Sequence, residues 1–150
     1  NPCFSSYISL YTGRNWYYLI MKLSKLTDYS LVLLSRLAAE KELQTARGLS
    51  QKTAIPEPTV AKLMKALVKQ NIVSSVRGSN GGYKLAGNAC DISAARVIEA
   101  IEGPIQLTQC ATPHTGSCIL EGSCHLSGRW GKINGAVKSA LEEISLKDLA

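Results

Sequence analysis

Three cysteines lie close together in the stretch QCATPHTGSCILEGSCHL, residues 109–126, which contains one charged residue. Cys110, Cys118 and Cys124 are separated by seven and then five residues. Structural zinc sites prefer paired cysteines about two to four residues apart, whereas iron–sulfur clusters accept thiolates from several directions. The wider spacing therefore favours an iron–sulfur cluster, while a zinc site, redox-active thiols and cysteines without a role stay open as alternatives.

Three thiolates leave one ligand position of a cluster to be filled from elsewhere. The candidates in this chain are Asp28, Cys90, His114 and His125, and a second subunit is a further source. A ligand other than cysteine raises the reduction potential of a cluster and makes it easier to lose or modify. Such a ligand would suit a sensor.

The composition limits the class of protein. A chain of 150 residues with 45% apolar residues suits one domain, or one domain with an oligomerisation arm. No apolar run approaches the roughly 18 residues of a membrane-spanning helix. With no export signal and an odd count of five cysteines, a cytoplasmic location is expected, where disulfides are disfavoured. We therefore expect no membrane partner.

The first twenty residues differ from the rest. They hold six of the nine aromatic residues and one basic residue, and they precede Met21, which resembles a natural start. We interpret residues 1–20 as a non-native-looking N-terminal extension; a genuine extra strand or membrane-touching arm is the alternative.

Positive charge is concentrated in one window. Residues 45–85 contain seven basic residues and one acidic residue, for a net charge of +6, which equals the net charge of the whole chain. Such a local excess is typical of a protein that binds a polyanion. A solvated basic face is the simpler alternative.

The elements that would carry these residues follow from periodicity. Residues 23–40 have apolar residues at helical spacing, with Thr27 or Ser24 as N-cap, and residues 44–54 predict a short helix capped by Thr45. A third helix begins near Pro58, with an apolar stripe on one side and lysines on the other. Two short strands follow, residues 72–76 and 83–85, joined by RGSNGG. This order predicts a mostly α fold with a small β hairpin, a winged helix-turn-helix.

Two more helices are predicted after the hairpin. Ser93 caps the first, which stops at Gly103. The second spans about residues 126–144 and has an apolar stripe at Leu126, Trp130, Ile133, Val137, Leu141 and Ile144. A helix of this kind, far from the first core in sequence, predicts either a lid or a dimer seam.

The helix-turn-helix identifies candidate DNA contacts. The second helix of the motif enters the major groove by its N-terminal residues, where Thr59 and Lys62 are suited to base or phosphate contacts and Lys65 to the backbone. The slim hairpin tip would let Arg77 reach a minor groove, unless Arg77 pairs with an acid on its own surface. The DNA-binding prediction is Thr59, Lys62, Lys65, Arg77, Ser79 and Asn80.

No acid–base pair, phosphate-binding loop or nucleophile motif is visible, so we expect neither an enzyme nor a small-molecule substrate.

Several stretches together resemble a known family. They are MKLSKLTDYSLVLLSRLA, LVKQNIVSSVRGSNGGYKLA and DISAARVIEAIEGPI, followed by the three cysteines, Trp130 and ISLKDLA. From Met21 to the C-terminus the chain resembles the winged-helix regulators that include IscR and NsrR, most of all the branch that controls the SUF cluster-assembly operon in proteobacteria. The resemblance implies a homodimer with crossing C-terminal helices, an Arg77 contact with DNA and cluster-dependent choice of operators.

The same resemblance bears on the ligands. It implies a cluster bound by Cys110, Cys118 and Cys124, for which we expect the 2Fe–2S type, with 4Fe–4S as the alternative. IscR-type members place a histidine where this chain has Ser127, whereas Asp28 matches the aspartate that NsrR-type members supply from the other subunit. Asp28 is therefore the first candidate for the fourth ligand, and His125 or His114 is the next.

The chain is thus expected to divide into the extension at 1–20, a winged helix-turn-helix domain at 21–103, a cysteine loop at 104–125 and a dimerisation helix and tail at 126–150. The function predicted is a cytoplasmic, DNA-binding repressor that senses iron–sulfur cluster status and controls cluster-assembly genes. A metal-free regulator with a thiol redox switch is the alternative.

Overall fold

Helices and one hairpin make up the computed structural model, which describes residues 23–78, 80–108, 111, 123–126 and 129–150. Ser79, Cys110, His114, Cys118 and the predicted extension at 1–20 lie outside the described residues. The elements are α1 (Lys25–Ala39), α2 (Ala46–Thr53), α3 (Glu57–Lys69), β1 (Val73–Val76), β2 (Gly82–Leu85), α4 (Ala94–Glu102) and α5 (Trp130–Glu143), with 3₁₀ turns at Ala89–Asp91 and Leu146–Leu149. The predicted fold class is confirmed.

Polar caps explain where three of the helices begin. The hydroxyl oxygens of Ser24, Thr45 and Ser93 each accept a hydrogen bond from a backbone N–H in the first turn, at 3.0–3.2 Å. Two of these caps were predicted, and of the two candidates for α1 it is Ser24 that caps the helix. The start of α5 was predicted wrongly, because the helix begins at Trp130 and not at Leu126.

The core lies between α1, α2, α3, α4 and the hairpin. It contains the apolar faces of the first three helices together with β1 and α4, at Leu33, Leu34, Leu37, Leu49, Val60, Leu63, Met64, Leu67, Ile72, Val73 and Val97. Leu146, from the far end of the chain, is only 1% exposed within the same core. Burial of these side chains provides the main driving force for folding.

The end of α5 is tied back to this core by backbone pairing. The N–H of Leu146 donates to the carbonyl of Ile92 at 2.7 Å, and the N–H of Ala94 donates to the carbonyl of Ile144 at 2.8 Å. These bonds flank an isolated bridge between Ser93 and Ser145. The C-terminal end of α5 is therefore fixed to the beginning of α4.

The hairpin has a third backbone partner that the sequence did not predict. β1 and β2 pair antiparallel, with Val73 opposite Leu85 and Val76 opposite Gly82. Gln44, just before α2, exchanges two backbone hydrogen bonds with Tyr83 at 2.8 and 3.0 Å. The wing is thereby attached to the first helix of the helix-turn-helix motif.

A search of the described helices for a membrane span gives a negative result: none combines sufficient length with sufficient apolar character.

Candidate nucleic-acid interface and cysteine segment

α3 has one face in the core and a basic face outside it. Val60, Leu63, Met64 and Leu67 are buried, whereas Lys62, Lys65 and Lys69 are exposed. The two faces arise because residues three or four positions apart share one side of a helix. The packing of the apolar side therefore fixes the direction in which the lysines point, which is away from the protein.

The tip of the wing is kept small by its glycines. Gly78 has a φ of +122°, a backbone conformation that side chains disfavour. A Cβ atom on Gly81 would collide with the carbonyl oxygen of Val76 and lie 2.9 Å from that of Gly78. Arg77 and Asn80 are both exposed at this turn. Larger residues are therefore disfavoured at Gly78 and Gly81, which leaves Arg77 with the largest side chain at the tip.

A groove of about 580 Å³ separates α3 from the wing. Lys65 of α3 and Arg77 of the wing both line this groove, so the structure brings these two predicted DNA contacts together. Thr59 is half-buried and Lys62 is exposed, and neither lines the groove. The remaining lining is Thr45, Ala46, Val68, Ser75, Val76, Gly78, Gly81, Gly82 and Tyr83.

The groove includes the start of α2, which the sequence did not predict as part of the interface. Thr45 was predicted only as a cap, yet it lines the groove together with Ala46, the first residue of α2. N-terminal N–H groups of a helix favour negatively charged ligands such as phosphate. The capping residue Thr45 could have indicated this part of the groove from the sequence. No sequence pattern indicates the Gln44–Tyr83 bridge that positions the wing.

Most of the basic window carries uncompensated charge. Among the described residues, no acid lies within ion-pair distance of Lys62, Lys65 or Arg77. Lys52 is different, because its Nζ lies 2.7 Å from Glu40, and that hydrogen bond lowers the pKa of Glu40. The alternative that Arg77 pairs with an acid on its own surface is thus not found in the described part of the chain.

The candidate cluster ligands are only partly described. Cys124 is half-buried and outside any disulfide, and Cys90 is an exposed thiol on a 3₁₀ turn. His125 is exposed, and Asp28 is exposed in the first turn of α1. Within the described ranges, no group of three or more cysteine, histidine or acidic side chains is assembled. The ligand set therefore stays a prediction.

The beginning of the cysteine segment is fixed against α1. Glu102 is the last residue of α4, and its carboxylate accepts hydrogen bonds from the backbone N–H of Ser24, at 2.8 Å, and from the hydroxyl of Thr27. The bond from Thr27, followed by those from Ser24, lowers the pKa of Glu102. The turn of α1 that carries Asp28 is thus held where the chain leaves α4 toward the cysteines.

A second contact fixes the segment to α5. The amide group of Asn134 donates to the carbonyl of Ile105 at 2.9 Å, and its oxygen accepts from the N–H of Leu107 at 3.0 Å. Further on, Ala111 is buried, and its carbonyl oxygen lies 3.5 Å from the position of a Cβ on Gly131. The chain on both sides of residue 108 therefore lies along the N-terminal half of α5.

Comparison with known proteins identifies the family. The sequence profile of the Rrf2 family, described as "Iron-dependent Transcriptional regulator", matches residues 23–150. This chain belongs to the Rrf2 family. It is 31% identical over 131 residues to the HTH-type transcriptional regulator NsrR of Oceanobacillus iheyensis, an alignment that covers 86% of this chain and 89% of the relative.

Solved structures agree with this Rrf2 assignment. The global cysteine regulator CymR of Bacillus subtilis superposes with a TM-score of 0.67 at 26% identity, covering 87% of this chain and 97% of CymR. The oxidized form of Staphylococcus aureus CymR gives a TM-score of 0.64 at 26% identity, covering 87% and 96%. These matches confirm the resemblance to winged-helix regulators. Rrf2 members are transcriptional regulators and not enzymes, so this Rrf2 chain is a DNA-binding regulator of transcription.

Proposed function

We propose that this Rrf2 protein is a cytoplasmic, homodimeric repressor whose affinity for its operators depends on an iron–sulfur cluster bound by Cys110, Cys118 and Cys124. The observation that carries the proposal is the cysteine triplet on a chain of an iron-dependent regulator family. The proposal is supported by the similarity to NsrR and by the groove, in which Lys65 and Arg77 have no ion-pair partner among the described residues. Iron–sulfur assembly genes are the proposed targets, from the sequence resemblance to the SUF branch.

The DNA contacts follow from the geometry of the groove. Arg77 of the wing and Lys65 of α3 line the same groove, together with Thr45 and Ala46 at the start of α2. Phosphate contacts from lysine and N–H groups give affinity that falls with salt. Thr59 and Lys62, near the start of α3, would read base edges in the major groove, while Arg77, Ser79 and Asn80 would contact the backbone or the minor groove.

The proposed homodimer is supported by an apolar stripe on α5. Within the described residues Asn134 is the only buried residue of this helix. Ile133 is 48% exposed, and Ile144, which follows α5, is 40% exposed. Trp130, Val137 and Leu141 are half-buried. A regular apolar stripe that its own chain covers only in part is typical of a helix that packs against a second subunit.

The chemistry of the donors suits an iron–sulfur cluster. Three thiols within one short segment are the usual ligands, and Cys124 lies outside any disulfide. Asp28 or His125, both exposed, would complete the set. When bound, a 2Fe–2S cluster would supply a centre that responds to oxygen, nitric oxide or iron supply. The residues of the chain would then hold the segment in a fixed arrangement against α1 and α5.

Spectroscopy and DNA binding together test the proposal. Protein made in iron-replete cells and purified without oxygen should absorb visible light as iron–sulfur proteins do, and Cys110→Ser, Cys118→Ser or Cys124→Ser should abolish that absorption. Cys3→Ser is the matched control, because Cys3 lies outside the triplet and is not among the candidate ligands. The variants Asp28→Ala and His125→Ala should identify the fourth ligand by a change in the spectrum.

Operator affinity is the second measurement. A duplex is first selected from a random pool by the purified protein, and its affinity is then measured for cluster-loaded and chelator-stripped samples. Different affinities are expected. A colourless protein, or equal affinities for every selected duplex, would contradict cluster sensing.

A thiol switch without metal is the second candidate, because a solved neighbour is described as an oxidized form. This candidate predicts that dithiothreitol changes operator affinity in the presence of a chelator. It also predicts that the change disappears in Cys110→Ser or Cys118→Ser and persists in Cys90→Ser. The chelator separates this candidate from the cluster proposal, because it removes metal without oxidising thiols.

A further inference from the structure

Asn134 occupies an unusual position on α5. It is 7% exposed, the lowest value among the described residues of a helix whose other side chains are half-buried or exposed. Burying a carboxamide is unfavourable unless its donors and acceptor find partners. Here both ends of the amide find them on the backbone of one neighbouring segment, at Ile105 and Leu107.

The two hydrogen bonds form a specific connection. A side-chain amide that bonds to a carbonyl and to an N–H two residues further along reproduces the pattern of a strand partner. Leu107 is followed closely by Cys110, the first of the three cysteines. Asn134 therefore links the entrance of the cysteine segment to the middle of α5.

Beyond Asn134, α5 makes two further connections, both with α4 or the residues at its start. One turn beyond Asn134, Nζ of Lys138 lies 2.8 Å from Glu99 of α4. At its C-terminal end, α5 is joined to the start of α4 through Leu146 and Ile92. A displacement of the cysteine segment would change the hydrogen bonds of Asn134 on α5. α5 is in turn fixed to α4, which packs against α1 and α3.

We propose that Asn134 is a positioning residue that transmits the chemical state of the cysteine segment to α5. The inference rests on the proposed function for its biological role, but the transmission itself is a physical property of the chain. In one chemical state of the thiols, residues 105–108 keep both hydrogen bonds to the Asn134 side chain. In the other state these residues move, and α5 loses the two hydrogen bonds. Asn134 is neither a predicted DNA contact nor a predicted cluster ligand.

The direct test measures hydrogen exchange in the full chain, with Cys3 and Cys90 replaced by serine so that only the triplet reacts. Exchange of the Leu107 amide and of the α5 amides is recorded before and after alkylation with N-ethylmaleimide. In the parent protein, alkylation should accelerate exchange at Leu107 and in the N-terminal half of α5. In Asn134→Leu, which keeps the branched shape of the side chain and removes both bonds, Leu107 should exchange fast throughout and α5 should not respond.

A matched control lies one turn along the same helix. Lys138→Met removes the ion pair from α5 to α4 but leaves the amide bonds of Asn134 in place, so the response of α5 to alkylation should persist. Should Asn134→Leu fold poorly, Asn134→Asp keeps the acceptor and loses the donor, and the response should be reduced. An unchanged response in a folded Asn134 variant, or no response in the parent, would overturn the inference.

Operator binding separates this inference from the proposed function. If the parent discriminates between loaded and stripped states by about 5- to 150-fold, the usual range for coupled sites, Asn134→Leu should reduce that ratio toward one. A merely structural role would weaken both states equally and leave the ratio unchanged, which would count against the inference alone. Equal affinities in the parent, with an exchange response that needs Asn134, would remove the proposed function and leave the inference standing.

Discussion

Arg77 is a side chain whose contribution to DNA binding can be isolated from its contribution to the fold. It is exposed at the wing and has no ion-pair partner among the described residues. We expect Arg77→Ala to weaken operator binding by about 1–3 kcal/mol and to leave the melting temperature unchanged. Fluorescence anisotropy on the selected duplex measures the affinity. Lys147→Ala removes the same charge outside the basic window and should have little effect; an equal loss in both variants would indicate general charge and not a wing contact.

Glu102 makes the stability of the fold depend on pH. Its pKa is lowered from an ordinary value near 4.5, first by the hydrogen bond from Thr27. A carboxylate with a lowered pKa adds stability above its unfolded pKa, and that stability is lost as the pH falls through the folded pKa. Because Glu102 is exposed, we expect the gain to be at most about 1 kcal/mol. Urea unfolding of Glu102→Gln should show a flatter dependence of stability on pH below about pH 5, whereas Glu143→Gln should match the parent.

At the scale of elements, the attachment of the wing depends on Gly82. A Cβ atom at this position would lie 2.9 Å from the carbonyl oxygen of Gln44, inside the bridge that joins the wing to α2. We expect Gly82→Ala to cost about 1–3 kcal/mol of stability, as overpacking does, and to weaken DNA binding by displacing Arg77. Gly87→Ala is the matched control, because nothing lies within 4 Å of its Cβ position. Thermal unfolding and anisotropy would both be measured, and equal behaviour of the two variants would exclude the bridge as a determinant of wing position.

The elements also show how far the sequence determines the structure by local signals. α2 and α4 were predicted with their caps because Thr45 and Ser93 act within a few residues of their own positions. The bonds made by Gln44 and Asn134 were not predicted, since each joins residues far apart in the chain and carries no periodicity. The start of α5 was misplaced because Leu126 continues the apolar spacing of the helix, and that spacing alone does not show where a helix begins.

The whole molecule raises the question of how many copies act on DNA. Helix-turn-helix regulators commonly bind two half-sites about one helical turn, or ~34 Å, apart, which requires two recognition helices in a fixed relation. The described chain supplies one such helix, α3, and one partly covered apolar stripe on α5. The stripe and Asn134 are both on α5. A second copy that packs on the stripe would therefore contact the helix to which Asn134 links the cysteine segment.

This arrangement gives a prediction for the stripe itself. Ile133 is 48% exposed in the single chain, and in a homodimer it would be buried against the partner. We expect Ile133→Glu to convert the dimer into a folded monomer, because a buried unpaired carboxylate is strongly unfavourable. Sedimentation equilibrium would measure the mass, and operator affinity should fall because the two half-sites are no longer bound together. Ser139→Glu places the same charge on the exposed part of α5 away from the stripe, and it should leave the dimer intact. A dimer that persists in Ile133→Glu would show that α5 does not form the interface.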